Sequence, residues 1–167
     1  MNNIFGLLFV IIFGGVGLIS IFVVISLLLP VPVERTRATL ETSPMRSLLL
    51  GVVNFLCMGL VVALFVWLFS LFTGIKVIDG ILLLLTGLLT LSAILLALLG
   101  LASLANLLGY HIGEPKNEFH AIIRGGALLF LAGFTPFIGW FAFTPLIILV
   151  ALGAAIQAIF RQKERAG

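Results

Sequence analysis

Long uncharged segments alternate with short polar segments along this chain. Three apolar runs cover residues of about 4–29, 47–72 and 80–108. Each run exceeds the roughly 20 residues that a helix needs to cross a hydrocarbon core about 30 Å thick. Polar segments at about 30–46, 73–79 and 109–121 separate the runs from one another and from a fourth apolar run near the carboxyl terminus. The pattern predicts three membrane-spanning helices before that last run, and the third is expected to end at Gly109, because glycine suits a helix C-terminus.

The last apolar run, from Gly125 to Phe160, is too long for one ordinary crossing. Its 36 residues carry no charge, and a single helix of that length would measure about 54 Å. Two Thr-Pro pairs interrupt it, and a hydroxyl residue followed by proline is typical of a helix start. We therefore predict a hairpin with legs at about 122–134 and 145–160. The predicted turn residues are Thr135, Pro136, Gly139, Trp140, Thr144 and Pro145.

The basic residues favour the hairpin over a single crossing. If the run folds back, eight of the nine Lys and Arg residues lie on one side of the membrane and only Lys76 lies on the other. A single crossing would divide them five to four. Because Lys and Arg concentrate in short cytoplasmic loops, the hairpin predicts an outside amino terminus and a cytoplasmic carboxyl terminus.

Composition agrees with a single membrane domain of the all-α class. The chain is 62% hydrophobic and 9% charged, whereas soluble proteins carry about 25% charged residues. The formal charge of +3 comes from residues at the ends of apolar runs, so no nucleic-acid partner is expected. Cys57 is the only cysteine, which excludes a disulfide within the chain. The first apolar run lacks the basic region and cleavage site of a secretory signal, and we interpret it as a retained span.

Candidate chemistry is sparse. Apart from Arg124 near the start of the first hairpin leg, no Asp, Glu, Lys, Arg or His falls inside the predicted spans and legs, although proton and ion pathways normally contain such residues. Asn54, Asn106 and Gln157 are the strongest polar groups there, and we expect them to form hydrogen bonds between helices. His111 and His120 are interpreted as loop residues at the interface, without a third ligand for a metal. We expect no catalytic, cofactor or metal site, and no enzymatic activity.

Small residues at helical spacing predict close helix contacts. One stripe in the third run consists of Thr86, Thr90, Ala93, Ala97 and Gly100, and the first run has a notch at Gly14, Gly15 and Gly17. The alternative is a peripheral groove for a lipid or a quinone tail.

The polar segment after the first run carries both signs of charge. We expect partner contacts at Glu34, Arg35, Arg37, Glu41 and Arg46. Arg37 and Glu41 have i,i+4 spacing, so one or two helical turns are predicted there. The alternative is that the arginines only set the orientation in the membrane.

Two segments together carry a resemblance to a known family. They are LLLPVPVERTRATLETSPMRSLLLGVV at 27–53 and FTPFIGWFAFTPLIILVALGAAIQAIF at 134–160. They resemble the bacterial membrane module that accompanies bactofilin-like, polymer-forming domains, and the resemblance implies a membrane fold. In size and loop placement the chain is also similar to the small accessory membrane subunit of alternative complex III from filamentous phototrophic bacteria, a quinol-oxidising complex.

These observations predict a non-catalytic accessory subunit that packs against other integral membrane subunits in a bacterial plasma membrane. A quinol-oxidising electron-transfer complex is the favoured setting. The first alternative is a free-standing anchor for a bactofilin-like filament, and the second is a small carrier or channel.

Overall fold

The computed structural model describes residues 2–71, 76–113, 117–135, 137 and 139–166, and its regular elements are all helical. The α-helices are α1 (Asn2–Leu28), α2 (Pro30–Thr42), α3 (Pro44–Leu71), α4 (Lys76–His111), α5 (Glu118–Gly133) and α6 (Thr144–Ala166). A short π-helical segment, Gly139–Phe143, leads directly into α6. Stretches in α1, α3, α4 and the run Phe141–Phe160 are long and apolar enough to cross a membrane. The prediction of an all-α, multi-span membrane fold is confirmed.

The last apolar run folds back, as the hairpin prediction required. Gly109 of α4 lies against Ala121, and Gly125 of α5 lies against Ala105, so α5 runs antiparallel to α4. The start of α3 meets the end of α6, because the Gln157 side chain lies 3.2 Å from the Ser47 hydroxyl. The chain therefore enters and leaves the hairpin at the same end of the bundle.

The turn of the hairpin lies beside the middle of α4. Gly100 of α4 contacts Ala151 of α6. From this contact and those between α4 and α5, the helices can be followed towards the turn at about 1.5 Å per residue. The turn then lies close to Ala93 and Ala97 of α4. The first halves of α1 and α4 and the second half of α3 consequently extend past the turn. We call this the open end of the bundle, and the opposite end the α2 end.

The buried core is confined to the α2 end and consists mainly of small side chains. Its alanines, all at most 8% exposed, are Ala102, Ala105, Ala121, Ala151, Ala154, Ala155 and Ala158. Phe22 of α1 and Ile122 of α5 fill the space next to α4. Because lipid tails are as apolar as the helices, membrane helices associate through close packing of small residues rather than by a hydrophobic effect between them.

The helices extend past several of the predicted bounds, and two of these differences have a structural reason. The segment from Pro30 to Thr42 forms a complete helix of 13 residues, more than the expected one or two turns. It packs across α4 and α6 and buries Val33 and Leu40. The third span was predicted to end at Gly109, but α4 continues to His111. Gly109 serves the close approach of α5 instead of ending the helix.

Candidate functional site

The predicted stripe of small residues on α4 divides into an occupied part and an open part. At Gly100, an added Cβ would overlap the carbonyl group of Ala151, so α6 covers this position closely. Ala93 and Ala97 are half-buried. Thr86 and Thr90 face a groove instead, and their hydroxyls each donate to a carbonyl of α4 at 2.8 Å. The same stripe thus continues from a contact within the chain to a surface that α6 leaves open.

We call this surface the α3–α4 groove. It has a volume of about 580 Å³. Its walls are Phe65, Val66 and Phe69 of α3 and Leu82, Leu83, Thr86, Gly87, Thr90, Leu91 and Ile94 of α4. The groove forms because α3 and α4 touch little along their length, whereas both pack extensively on α6 at the α2 end. It is an apolar cleft that faces outward from the bundle.

The predicted notch in α1 is covered at one of its three glycines. Gly15 is buried, and a Cβ there would lie 3.0 Å from the ring of Phe130. Gly14 and Gly17 are exposed, and a Cβ added to either would have no atom within 4 Å. The contact of α1 with α5 therefore rests on Gly15 and continues at Gly126, which faces Ile19 and Phe22.

Two glycine pairs make the closest helix contacts in the described residues, and neither pair belongs to the predicted stripes. In α3 and α6, a Cβ on Gly51 would overlap the Leu149 carbonyl, and one on Gly153 would overlap the Ser47 carbonyl. Gly109 and Gly125 make an equivalent contact between α4 and α5. The signal in the sequence is the four-residue spacing of small residues in Ser47–Gly51, Ala105–Gly109 and Ala121–Gly125, the pattern that lets two backbones approach.

Two of the intramembrane amides occupy different environments at the α2 end. The Gln157 side chain contacts the hydroxyls of Ser47 at 3.2 Å and Ser43 at 3.4 Å, which links α6 to the start of α3. Asn106 of α4 is only 6% exposed, and its Oδ1 atom has no hydrogen-bond partner. Asn54 is half-buried on α3. Gln157 thus forms the interhelical hydrogen bonds expected of such an amide.

The charged residues of α2 are mostly exposed. Glu34, Arg35 and Glu41 lie at the surface, as does Arg46 in the first turn of α3. Arg37 is half-buried, with its guanidinium 4.0 Å above the ring of Tyr110. Its Nε donates to the Glu41 carboxylate at 3.1 Å. The predicted partner-contact residues therefore form an exposed charged face, and Arg37 also anchors α2 to α4.

A small polar cavity lies beneath α2. Its volume is about 30 Å³, and its polar walls come from Ser26, Glu34, Arg37, Asn106 and Glu118. The Ser26 hydroxyl oxygen, like the Asn106 carboxamide oxygen, is buried without a hydrogen-bond partner. Residues from α1, α2, α4 and α5 thus converge on one partly open space.

The predicted turn residues stabilise the tip of the hairpin through backbone contacts. The Thr135 hydroxyl donates to the Ala132 carbonyl at 2.6 Å. Gly139 is buried, and a Cβ there would lie 2.6 Å from the same oxygen. The Thr144 hydroxyl donates back to the Gly139 carbonyl at 2.7 Å. The Thr144 hydroxyl is thus bonded to the π-helical segment that precedes α6, and Pro145 follows as the second residue of α6.

The other two predicted turn residues are Trp140 and Pro136. Trp140 belongs to the π-helical segment. Pro136 lies outside the described residues.

Neither histidine lines the groove or the polar cavity. His111 and His120 are both exposed, but they lie in the last turn of α4 and the first turn of α5 rather than in a loop as predicted. The Nδ1 atom of His111 lies 3.0 Å from the Leu107 carbonyl oxygen. Among the described residues, no group of three or more His, Cys, Asp or Glu side chains could hold a metal ion. The groove and the polar cavity are two of the depressions on the described surface. No protein-family model matches the chain, and neither a curated protein nor a solved structure is significantly similar to it.

Proposed function

We propose that the protein is a non-catalytic accessory subunit of a larger membrane complex, and that a transmembrane helix of another subunit docks in the α3–α4 groove. The observation that carries the proposal is the continuity of the stripe on α4. One end of it, at Gly100, receives α6 in a contact close enough to exclude a Cβ. The other end, at Thr86 and Thr90, is presented to the groove with the same small side chains.

A helix suits the groove because of the residues that line it. A Cβ added to Gly87 would have no atom within 4 Å, so a neighbouring backbone has room to approach α4 there. Phe65 and Phe69 supply large apolar walls on the opposite side. Close approach at small residues, flanked by larger side chains, is how membrane helices pack against one another.

The setting of the complex follows from the charge distribution and the resemblances. Arg35, Arg46 and the other basic residues of the polar segments support a cytoplasmic location for the α2 end, since Lys and Arg concentrate on that side. The amino terminus would then lie outside a bacterial plasma membrane. A quinol-oxidising electron-transfer complex is the favoured host, with the exposed charges of α2 contacting its cytoplasmic surface.

Purification from native membranes in a mild detergent tests the proposal. We expect the chain to co-migrate with other membrane proteins. Gly87→Phe places a large side chain in the groove, with no atom within 4 Å of its Cβ, and should release the partner. Gly59→Phe is the matched control, because Gly59 is equally free of neighbours but does not line the groove. A wild-type chain that migrates alone, at its own mass plus a micelle, would refute the proposal.

A photo-activated cross-linker at Thr90 identifies the occupant directly. We expect an adduct with a helix of a different membrane protein. An adduct with lipid or quinone only would make the groove a site for an apolar tail. An adduct with a second copy of this chain only would replace the accessory role with self-association.

A further inference from the structure

The polar cavity beneath α2 is lined by two residues with buried oxygen atoms that have no hydrogen-bond partner. Asn106 lines it and is only 6% exposed, and the Oδ1 atom of this residue has no partner. A carboxamide oxygen can only accept hydrogen bonds. The Ser26 hydroxyl oxygen is buried without a partner as well. Because an unpaired buried polar group is costly, a bound donor would stabilise this part of the bundle.

The charge of the lining favours a cation as that donor. Glu34 and Glu118 contribute two carboxylates, whereas Arg37 contributes one guanidinium. Arg37 is itself bonded to the Glu41 carboxylate at 3.1 Å and stacked on Tyr110. Its Nε is thus occupied by Glu41, and the two lining carboxylates have no ion pair of this kind among the described residues.

The size of the cavity restricts the cation. A volume of about 30 Å³ is the share that a single water molecule takes in the liquid. A primary ammonium group, with three N–H donors on one nitrogen, fits that space. A trimethylated ammonium is larger and has no N–H to donate.

The position of the cavity points to a membrane lipid as the source. The cavity lies where α1 ends and α2 crosses the bundle, next to the exposed charged face of α2. This is the level at which phospholipid headgroups meet a membrane protein. We propose that the cavity binds the primary ammonium of a phosphatidylethanolamine-type lipid, with Asn106 and Glu118 as acceptors. Arg37 has further N–H groups that can donate to the lipid phosphate.

Native mass spectrometry of the full chain tests this inference. The purified protein would be placed in nanodiscs of equal parts phosphatidylethanolamine and phosphatidylcholine, which share the phosphate but differ in N–H donors. We expect retained phosphatidylethanolamine to exceed phosphatidylcholine about tenfold, a preference equivalent to about 1.4 kcal/mol. Equal retention of the two lipids would overturn the proposal.

Two variants and one matched control locate the site. Asn106→Leu and Glu118→Gln should each bring the preference close to one. Because Glu118 is exposed, its variant tests the site even if Asn106→Leu fails to fold. Asn54→Leu removes a half-buried amide from another part of the bundle and should leave the preference unchanged. A preference that survives both Asn106→Leu and Glu118→Gln would place lipid selection elsewhere and refute the assignment.

Small cations distinguish the lipid from a free ligand. In discs of phosphatidylcholine alone, free ethanolamine or sodium should raise the thermal unfolding temperature much less than phosphatidylethanolamine does. If either raises it equally, the cavity is a site for a free cation. If no additive changes it and Asn106→Leu is more stable than wild type, the cavity holds an ordered water only. Both results contradict the lipid proposal.

Discussion

At the residue scale, single glycines set the distance between the helices. Gly51 and Gly153 let the backbones of α3 and α6 meet, and Gly109 and Gly125 do the same for α4 and α5. Each pair replaces side-chain packing by direct contact between one helix and a carbonyl oxygen of the other. Weak Cα–H···O interactions are typical of such contacts. The stability of the α2 end should therefore depend on these positions more than on the larger apolar residues of the open end.

Gly51→Ala should destabilise the bundle. The added Cβ would overlap the Leu149 carbonyl, and overpacking of this kind costs about 1–3 kcal/mol. Unfolding by titration with sodium dodecyl sulfate in mixed micelles measures the effect. Gly59→Ala is the control on the same helix, with no atom within 4 Å, and should be neutral or stabilising by up to about 1 kcal/mol. Equal effects of the two substitutions would show that the close contact contributes nothing.

Ser47 and Gln157 should be energetically coupled. Their side chains lie 3.2 Å apart across the interface of α3 and α6, and hydrogen bonds between membrane helices contribute about 0.6 kcal/mol on average and up to about 1.7. A double-mutant cycle with Ser47→Ala and Gln157→Leu measures the coupling in the same unfolding assay. Ser92→Ala serves as control, because this exposed hydroxyl donates within its own helix to Leu89. Strictly additive losses would contradict the expected coupling.

At the scale of elements, the hairpin turn combines a tight backbone with an exposed aromatic side chain. Phe137 has a φ of 66°, in the left-handed region, and is 81% exposed. A left-handed conformation costs a residue with a Cβ about 1–2 kcal/mol relative to the right-handed one. The turn is thus held by its neighbours, with Thr135 and Thr144 bonded to carbonyls on either side.

Replacement of Phe137 by glycine should stabilise the turn relative to replacement by alanine. Both variants remove the same side chain, but only glycine adopts a positive φ without steric cost. We expect Phe137→Gly to be more stable than Phe137→Ala by about 1 kcal/mol, measured by thermal unfolding in detergent. A more stable alanine variant would indicate that the turn does not hold residue 137 in this conformation.

The elements were largely predictable from the sequence, whereas the contacts between them were not. The Thr-Pro pairs and the distribution of charge indicated the reversal of the last run and the start of α6 near Thr144. The predicted helix end at Gly109 was wrong, because a glycine after an apolar run can either end a helix or allow a neighbouring helix to approach closely. The polar cavity joins Ser26, Glu34, Asn106 and Glu118. Nothing in their separations along the chain indicates that four helices bring them together.

At the scale of the whole molecule, packing is unequal between the two ends. The α2 end contains the alanine core and the glycine contacts, while the open end exposes large apolar residues such as Trp67 and Leu83, at 60% and 72%. Exposed apolar surface of this kind is compatible with lipid and with a partner helix. The α2 end is thus the more closely packed part of the molecule, and the open end presents the larger apolar surface.

The two termini should be accessible from opposite sides of the membrane. α6 returns to the α2 end, as the contacts of Gln157 with Ser43 and Ser47 show, whereas α1 begins at the open end. Single cysteines replacing Asn2 or Gly167 can be probed with a membrane-impermeant thiol reagent. A Cys57→Ala background is needed because Cys57 is exposed. Labelling of both positions from the same side would contradict this arrangement.

The shortness of α5 has a consequence for how the protein is made. Its 16 residues rise only about 24 Å, and they include the exposed Arg124. We do not expect such a segment to insert into the bilayer from the translocon by itself. By contrast, α1, α3 and α4 are each long and apolar enough to insert independently. The surface offered by Ala105 and Gly109 exists only once α4 is in place. We therefore expect α5 to integrate late in biosynthesis, after α4, the helix on which it packs.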